Sequence, residues 1–235
     1  MNALRSVWAW GVTLVLAGFW VSTMALVIVP TFGWARQHVA GPAIALWARW
    51  SLALGGIRLQ VTGAEHLRDR RARVLICNHA SALDILCMAA LAPPAPTAVA
   101  KAGLKWIPPV NLGFWLVGTI WVDKGNEARA VQSMKRAADR VRKERLCLMI
   151  SPEGTRSRDG QLAPFKSGAF HLASQAQAEI VPVLIKGAHD RCPPTGWHVL
   201  PGVIEVTVMP PLSPSDDPKA QAQEVHDLYA EWLSA

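Results

Sequence analysis

Val74-Leu75-Ile76-Cys77-Asn78-His79-Ala80-Ser81-Ala82-Leu83-Asp84-Ile85-Leu86 opens apolar, turns polar at Asn78 and becomes apolar again from Ala82. A short unbroken apolar run ahead of polar residues is the pattern of a strand buried on both faces. The stretch Ala82–Leu91 that follows has the length and spacing of a helix. A strand, a polar turn and a helix in succession predict an α/β layer. In such sheets, chemistry is carried at the carboxyl ends of the strands, where Asn78, His79 and Asp84 fall. A histidine there is a natural general base near neutral pH. A carboxylate can accept the proton on its other ring nitrogen, fixing the tautomer and stabilising the imidazolium. Ser81-x-x-Asp84 also reads as a capping arrangement at a helix start, with Asp84 at the positive end of the dipole. The two readings are compatible. Further His, Cys or acidic residues at metal-ligand spacing are missing around the pair, which disfavours a metal site.

Outward from this unit, the alternation continues. Strands are predicted over Ile57–Thr62, Arg73–Cys77, Thr97–Ala100, Thr119–Val122, Leu146–Ile150, Ile180–Ile185 and Ile204–Val208. Helices are predicted over Ala82–Leu91, Asn126–Arg145, Gly168–Gln177 and Pro218–Leu233. The expected fold is α/β, with a mostly parallel central sheet flanked by helices and preceded by an N-terminal membrane-embedded helical segment. Pro93–Pro96, Pro108-Pro109 and Pro210–Pro218 mark loops. In the helix from Asn126, Val131, Met134, Ala138 and Val141 recur at helical spacing and are expected to face the core. Its basic residues read as a solvated outer face, with attraction to anionic lipid as the alternative.

The front of the chain differs in kind. Ser6 to Ala35 contains no charged residue, long enough to cross a bilayer, which takes about 20 residues. It is too long for a signal peptide and no convincing small-residue cleavage site follows it; a buried core helix is the remaining alternative. Residues 37–54 form a second, weaker apolar segment, interrupted by Pro42 and Arg49. The division expected is an anchoring segment over 1–55, either one span or a re-entrant two-helix hairpin, and a catalytic domain over 56–235. The first 204 residues carry 23 Lys and Arg against 11 Asp and Glu, and the last 31 carry 1 against 6. That is +12 and −5 within the net +7, a basic body suited to an anionic membrane surface or a phosphorylated substrate. No nucleic-acid-binding motif accompanies it, so nucleic acid is not expected as a partner. Six of the eleven tryptophans lie in the first 50 residues, as expected where indoles sit at a membrane interface. Cys77, Cys87, Cys147 and Cys192 have no C-x-x-C spacing and read as small buried hydrophobes in a reducing compartment, with the catalytic domain facing the cytoplasm.

Other polar loops also follow predicted strands. Ser151-Pro152-Glu153-Gly154-Thr155-Arg156 offers a guanidinium fork suited to phosphate, a glycine that lets backbone approach, and a carboxylate to hold the arginine or a substrate hydroxyl. Gly118-Thr119-Ile120-Trp121-Val122-Asp123-Lys124 ends in a cation, Lys101 follows another strand, and Lys166 precedes a helix start, a favourable anion site. Singly, each is an ordinary polar turn.

Taken together, Asn-His-x4-Asp, Gly-x-x-aromatic-Val-Asp-Lys, Pro-Glu-Gly-Thr-Arg and Val181-Pro182-Val183, in this order, resemble the glycerolipid acyltransferase family over roughly residues 57–210. More narrowly, they are similar to the bacterial 1-acyl-glycerol-3-phosphate acyltransferases. The resemblance implies direct acyl transfer from acyl-CoA or acyl-carrier protein, a co-substrate and not a cofactor, to the free hydroxyl of lysophosphatidic acid. It implies His79 as general base oriented by Asp84. Arg156, with Lys124 and Lys101, would hold the acceptor's phosphate, and Glu153, Gly154 and Thr155 belong to the same loop. Asn78 and Gly118 are motif positions, and Pro182 would shape the wall of the acyl or acceptor site. The implied location is the bacterial inner membrane. Lys124 replaces the arginine common in the family, Ser151 a phenylalanine, and no acidic residue follows Lys101 closely. The alternatives are an acyltransferase for another acceptor, such as a lyso-ornithine lipid, a lipid hydrolase or thioesterase, and a non-catalytic lipid-binding membrane protein. A serine hydrolase would need Gly-x-Ser-x-Gly, which the chain lacks.

Overall fold

The computed structural model describes residues 2–91, 93–106, 110–122 and 127–234. Within them, β1 (Ile57–Thr62), β2 (Arg73–Cys77), β3 (Pro96–Lys101), β4 (Ile120–Val122), β5 (Cys147–Ile150), β6 (Glu179–Lys186) and β7 (Gly202–Val208) form one seven-stranded sheet. Its order is β1-β7-β6-β2-β5-β3-β4, with β6–β7 the antiparallel pair and the rest parallel. The mostly parallel α/β fold read from the strand–helix alternation is therefore the one observed. The helices are α1 (Asn2–Ile28), α2 (Arg36–Leu54), α3 (Leu83–Leu91), α4 (Val110–Leu116), α5 (Glu127–Glu144), α6 (Gly168–Ala176), α7 (Ala188–Arg191) and α8 (Pro218–Ser234).

Strand alternation divides the core in two. Leu75, Cys77, Val181, Val183 and Ile185 point to the face covered by α1, α2 and α3. Val74, Ile76, Ile180 and Leu184 point to the face covered by α5, α6 and α8. With both faces covered, every residue of β2 is buried, which explains its unbroken apolar reading.

Two expectations need correction. Val131 is 51% exposed: the stripe of α5 that packs inward is Ala137, Ala138 and Val141, flanked by Met134, so the helix reaches past the layer it covers before Val131. The basic face of α5 is not wholly solvated either, because Arg140 donates to Gly118 O at 3.1 Å and pairs with Glu144 at 3.0 Å. The sequence reading also placed no helix at α4. Asn126, where the expected helix starts, and Pro108-Pro109 lie outside the described residues.

α1 is long and apolar enough to cross a membrane, with a mean hydropathy of 2.1 and only 17% of its most apolar window buried. Leu14, Val15, Phe19 and Leu26 on α1, and Phe32 and Trp34 beyond it, are exposed. α1 is nevertheless bonded to the rest of the molecule. Ser6 Oγ accepts the Val199 N–H at 2.9 Å, and Trp10 Nε1 donates to Trp197 O at 2.8 Å. α2 is tied to α3 by Arg49 Nε, which donates to Ala90 O near the end of α3, so the charge that interrupts the second apolar segment serves as a helix C-terminal partner. The four cysteines are buried free thiols, and burial pushes their pKa values up.

Ser6→Ala would strand the buried Val199 N–H. It is expected to cost about 1–3 kcal/mol, read as a lower unfolding midpoint in detergent. An unchanged midpoint would mean that this contact does not hold α1 to the domain.

Candidate active site

β2 ends at Cys77, and the next residues leave the sheet at its carboxyl edge. Asn78 does not break away at once. Its side-chain amide donates to Ile185 O at 2.9 Å and accepts the Ile185 N–H at 2.8 Å, continuing the β2–β6 seam after the backbone has gone. His79 then turns toward α3. Its Nδ1 lies 3.0 Å from Asp84 Oδ2, and the same oxygen accepts the Ala80 N–H at 2.8 Å and the Ser81 N–H at 2.7 Å. Ser81 Oγ accepts the Leu83 N–H at 3.1 Å. The helix-capping contact and the histidine–carboxylate contact are thus both present, carried by one carboxylate. Asp84 is 2% exposed while the His79 side chain keeps 22% of its surface, so the ring's other edge remains open to solvent.

With Asp84 Oδ2 accepting two backbone N–H groups, the histidine partner on that side is a donor, Nδ1–H. The lone pair is then on Nε2, at the open edge, as a general base requires.

The loop after β5 comes to the same place. Glu153 is 4% exposed and turned inward. Its Oε1 accepts the His79 N–H at 2.6 Å and its Oε2 the Ala163 N–H at 3.2 Å. The Ser157 N–H donates to His79 O at 2.8 Å. Both backbone groups of His79 are therefore held by the 151–157 loop. Burial raises the Glu153 pKa, opposed by the hydrogen bonds from His79 and Ala163. Thr155 and Arg156 are exposed on the same loop, with no hydrogen bond or ion pair to Arg156 among the described residues. Gly154 sits at φ +78°, and a Cβ there would lie 3.1 Å from Lys166 Nζ, so the glycine leaves room for the lysine.

Residues 58–186, more than half of the chain, match the acyltransferase family. The chain belongs to this family. It is 34% identical over 231 residues to the 1-acyl-sn-glycerol-3-phosphate acyltransferase of Limnanthes douglasii, covering 97% of this chain and 77% of the relative. It is 32% identical over 215 residues to the human 1-acyl-sn-glycerol-3-phosphate acyltransferase alpha, covering 89% of this chain and 76% of that one. The crystal structure of the 1-acyl-sn-glycerophosphate acyltransferase PlsC from Thermotoga maritima superposes with a TM-score of 0.84 over 99% of this chain and 95% of that chain. At 22% identity that likeness shows the fold.

Of the acyltransferase residues expected from sequence, Asn78, His79, Asp84, Glu153, Gly154, Thr155 and Arg156 come together at the ends of β2 and β5. Gly118 lies elsewhere: at φ +69° it turns α4 into β4, at the amino end of that strand, and its carbonyl accepts from Thr97 Oγ1 and Arg140. Pro182 is buried inside β6, in register with Ile76. Its missing N–H falls on the β7 side, where Ile180 N–H donates to Leu212 and where the Pro182 carbonyl accepts the Met209 N–H. Lys101 ends β3 but its side chain, like all of Lys124, lies outside the described residues. Sequence reasoning gave Lys166 only a general anion-binding role and missed the inward turn of Glu153. No local signal distinguishes a loop glutamate facing a neighbouring backbone from one facing solvent.

Glu153→Gln replaces one acceptor oxygen with an NH2 that must oppose the His79 or Ala163 N–H, and is expected to lower activity. It should also change how stability varies with pH. Because the folded pKa is raised, the Glu153 contribution is fully present below the unfolded value of about 4.3 and is lost as pH rises through the folded value. Unfolding midpoints across acid pH should show this slope in the parent and not in Glu153→Gln. Equal slopes would mean that Glu153 is not the titrating group.

Proposed function

We propose that this acyltransferase moves a fatty acyl group from a thioester, acyl-CoA or acyl-carrier protein, to the 2-hydroxyl of 1-acyl-sn-glycerol-3-phosphate, giving phosphatidic acid. The observation that carries the reading is the buried Asp84 carboxylate 3.0 Å from His79 Nδ1, with the opposite ring edge open. The acceptor is the one in the names of its relatives.

In the proposed reaction, His79 Nε2 takes the proton of the acceptor hydroxyl as its oxygen attacks the thioester carbonyl. An alcohol needs this help because it is a poor nucleophile while protonated. Asp84 holds the ring and stabilises the imidazolium. Collapse of the tetrahedral intermediate breaks the C–S bond, and the thiolate leaves as thiol with the proton from His79. Arg156, exposed between the two contacts that the 151–157 loop makes with His79, would pair with the acceptor's phosphate as a bidentate fork. Lys101 and Lys124 are the further cations proposed there. α1, uncharged beyond Arg5, and its exposed apolar face support attachment to a membrane, and the cytoplasmic side is the one we propose for the site. A bacterial inner membrane is the location we propose.

The direct test is thiol release from palmitoyl- or oleoyl-CoA by detergent-solubilised protein, with and without lysophosphatidic acid. Release is expected only with both substrates, and His79→Ala should reduce it by a factor on the order of 10²–10⁴. Release without acceptor would point to a thioesterase, and near-parental activity in His79→Ala would remove the mechanism. Arg156→Ala is expected to raise the KM for lysophosphatidic acid about tenfold or more, the equivalent of ~1.4 kcal/mol, with little change in that for the acyl donor. Equal effects on both would make Arg156 structural.

A further inference from the structure

Tyr229 is the single tyrosine of the chain and belongs to α8, outside the residues that match the family. Its side chain is fully buried, yet its hydroxyl reaches into the sheet. Oη lies 2.5 Å from Ile76 O and 3.2 Å from Val183 O, and it accepts the Val183 N–H at 2.9 Å. Cys77 and Val183 are register partners in the parallel β2–β6 pair. In a parallel ladder the N–H of Val183 would donate directly to Ile76 O, the carbonyl one residue before its partner. The phenol hydroxyl bonds to both of these groups.

This contact sits just ahead of the turn that carries His79. Immediately beyond it, the Asn78 amide spans to Ile185, so side chains bond to this seam at two successive positions. Together they set the direction in which the chain leaves β2 for His79. The ring of Tyr229 also meets Phe165 edge-on at 5.2 Å. Phe165 lies two residues beyond Ala163, whose N–H holds Glu153, and Glu153 holds the His79 N–H. Tyr229 therefore touches both supports of His79, the strand beneath it and the loop beside it. Burial pushes the phenol pKa well above its ordinary value, so the hydroxyl stays neutral and can donate and accept at once.

We infer that Tyr229 is a positioning residue for the acyl transfer: its hydroxyl, bonded to both Ile76 and Val183, fixes the exit of β2 and with it the placement of His79. The inference rests on His79 being the general base. Removing the hydroxyl while keeping the ring takes away both of its bonds at this seam, which frees Asn78 and His79 to move. Displacements on the order of 1 Å in a catalytic group can cost about a hundredfold in rate.

Tyr229→Phe is expected to lower kcat about ten- to a hundredfold, with the KM for lysophosphatidic acid and for the acyl donor each within about twofold of the parent. Val225→Ala, buried one turn earlier in α8, removes core packing without touching the seam, and its folded fraction should keep the parental kcat. Parental kcat in Tyr229→Phe, or an equal kcat loss in Val225→Ala, would overturn the assignment. A second arm needs neither a folded Phe variant nor turnover. With one tyrosine in the chain, 3-fluorotyrosine incorporation gives a single ¹⁹F resonance that keeps the hydroxyl. That resonance should move in Glu153→Gln, and an unmoved signal would show that Tyr229 and the His79 support are uncoupled. A parent that transfers no acyl group would count against the proposed function, and the ¹⁹F result would still decide the role of Tyr229.

Discussion

One carboxylate oxygen, Asp84 Oδ2, accepts hydrogen bonds from His79, Ala80 and Ser81. Without it the turn ahead of α3 would leave the Ala80 and Ser81 N–H groups unmet, and loss at the buried Ser81 costs about 1–3 kcal/mol. The same oxygen fixes the histidine ring, so helix start and ring orientation cannot be separated. Four residues between His79 and Asp84 are what this requires: enough to leave the strand, reverse, and bring the first turn of a helix back beneath the ring. Burial of Asp84 to 2% is offset at Oδ2, which is met by three donors, while Oδ1 is buried without a partner among the described residues.

Around that contact the molecule supplies a frame whose parts differ in how plainly the sequence announces them. β2, β5 and β6 are legible as apolar runs because helices cover both faces of the sheet, leaving little reason for a polar residue within them. The proposed catalytic pair is legible because it follows such a run directly. The inward turn of Glu153 is not, since its partners are backbone groups of His79 and Ala163 that carry no sequence signature. Val131 misleads because helical periodicity reports a face but not how far the neighbouring layer extends. Tyr229 is hidden for a further reason: its bonds span 153 positions to Ile76, and only the fold brings them together.

The attachment of the apolar helices bears on how a membrane enzyme of this kind would meet its substrates. α1 and α2 do not hang from a linker. Leu52 of α2 shares one core cluster with Leu83 and Leu86 of α3, and Arg49 bonds to the far end of that helix. The first turn of α3 is where Asp84 sits. On the proposed reading, any tilt of the anchor relative to the bilayer is therefore transmitted to the catalytic carboxylate through side-chain packing, which transmits displacement with little compliance.

That rigidity suits the chemistry proposed. Both substrates carry long acyl chains and polar heads, so a hydroxyl and a thioester can meet only within a narrow layer at the membrane surface. A flexible tether would hold the domain near that layer but leave the height of His79 above it variable. Bonds from Ser6 to Val199 and from Trp10 to Trp197 fix the height instead, because α1 cannot shift along its axis without breaking them. The cost is that α1 becomes part of the folded core: Ala9 is buried in the same cluster as Val206 and Val208 of β7. Removing α1 would therefore expose the face of the sheet that supports α3, and loss of the anchor and loss of the active-site frame would occur together.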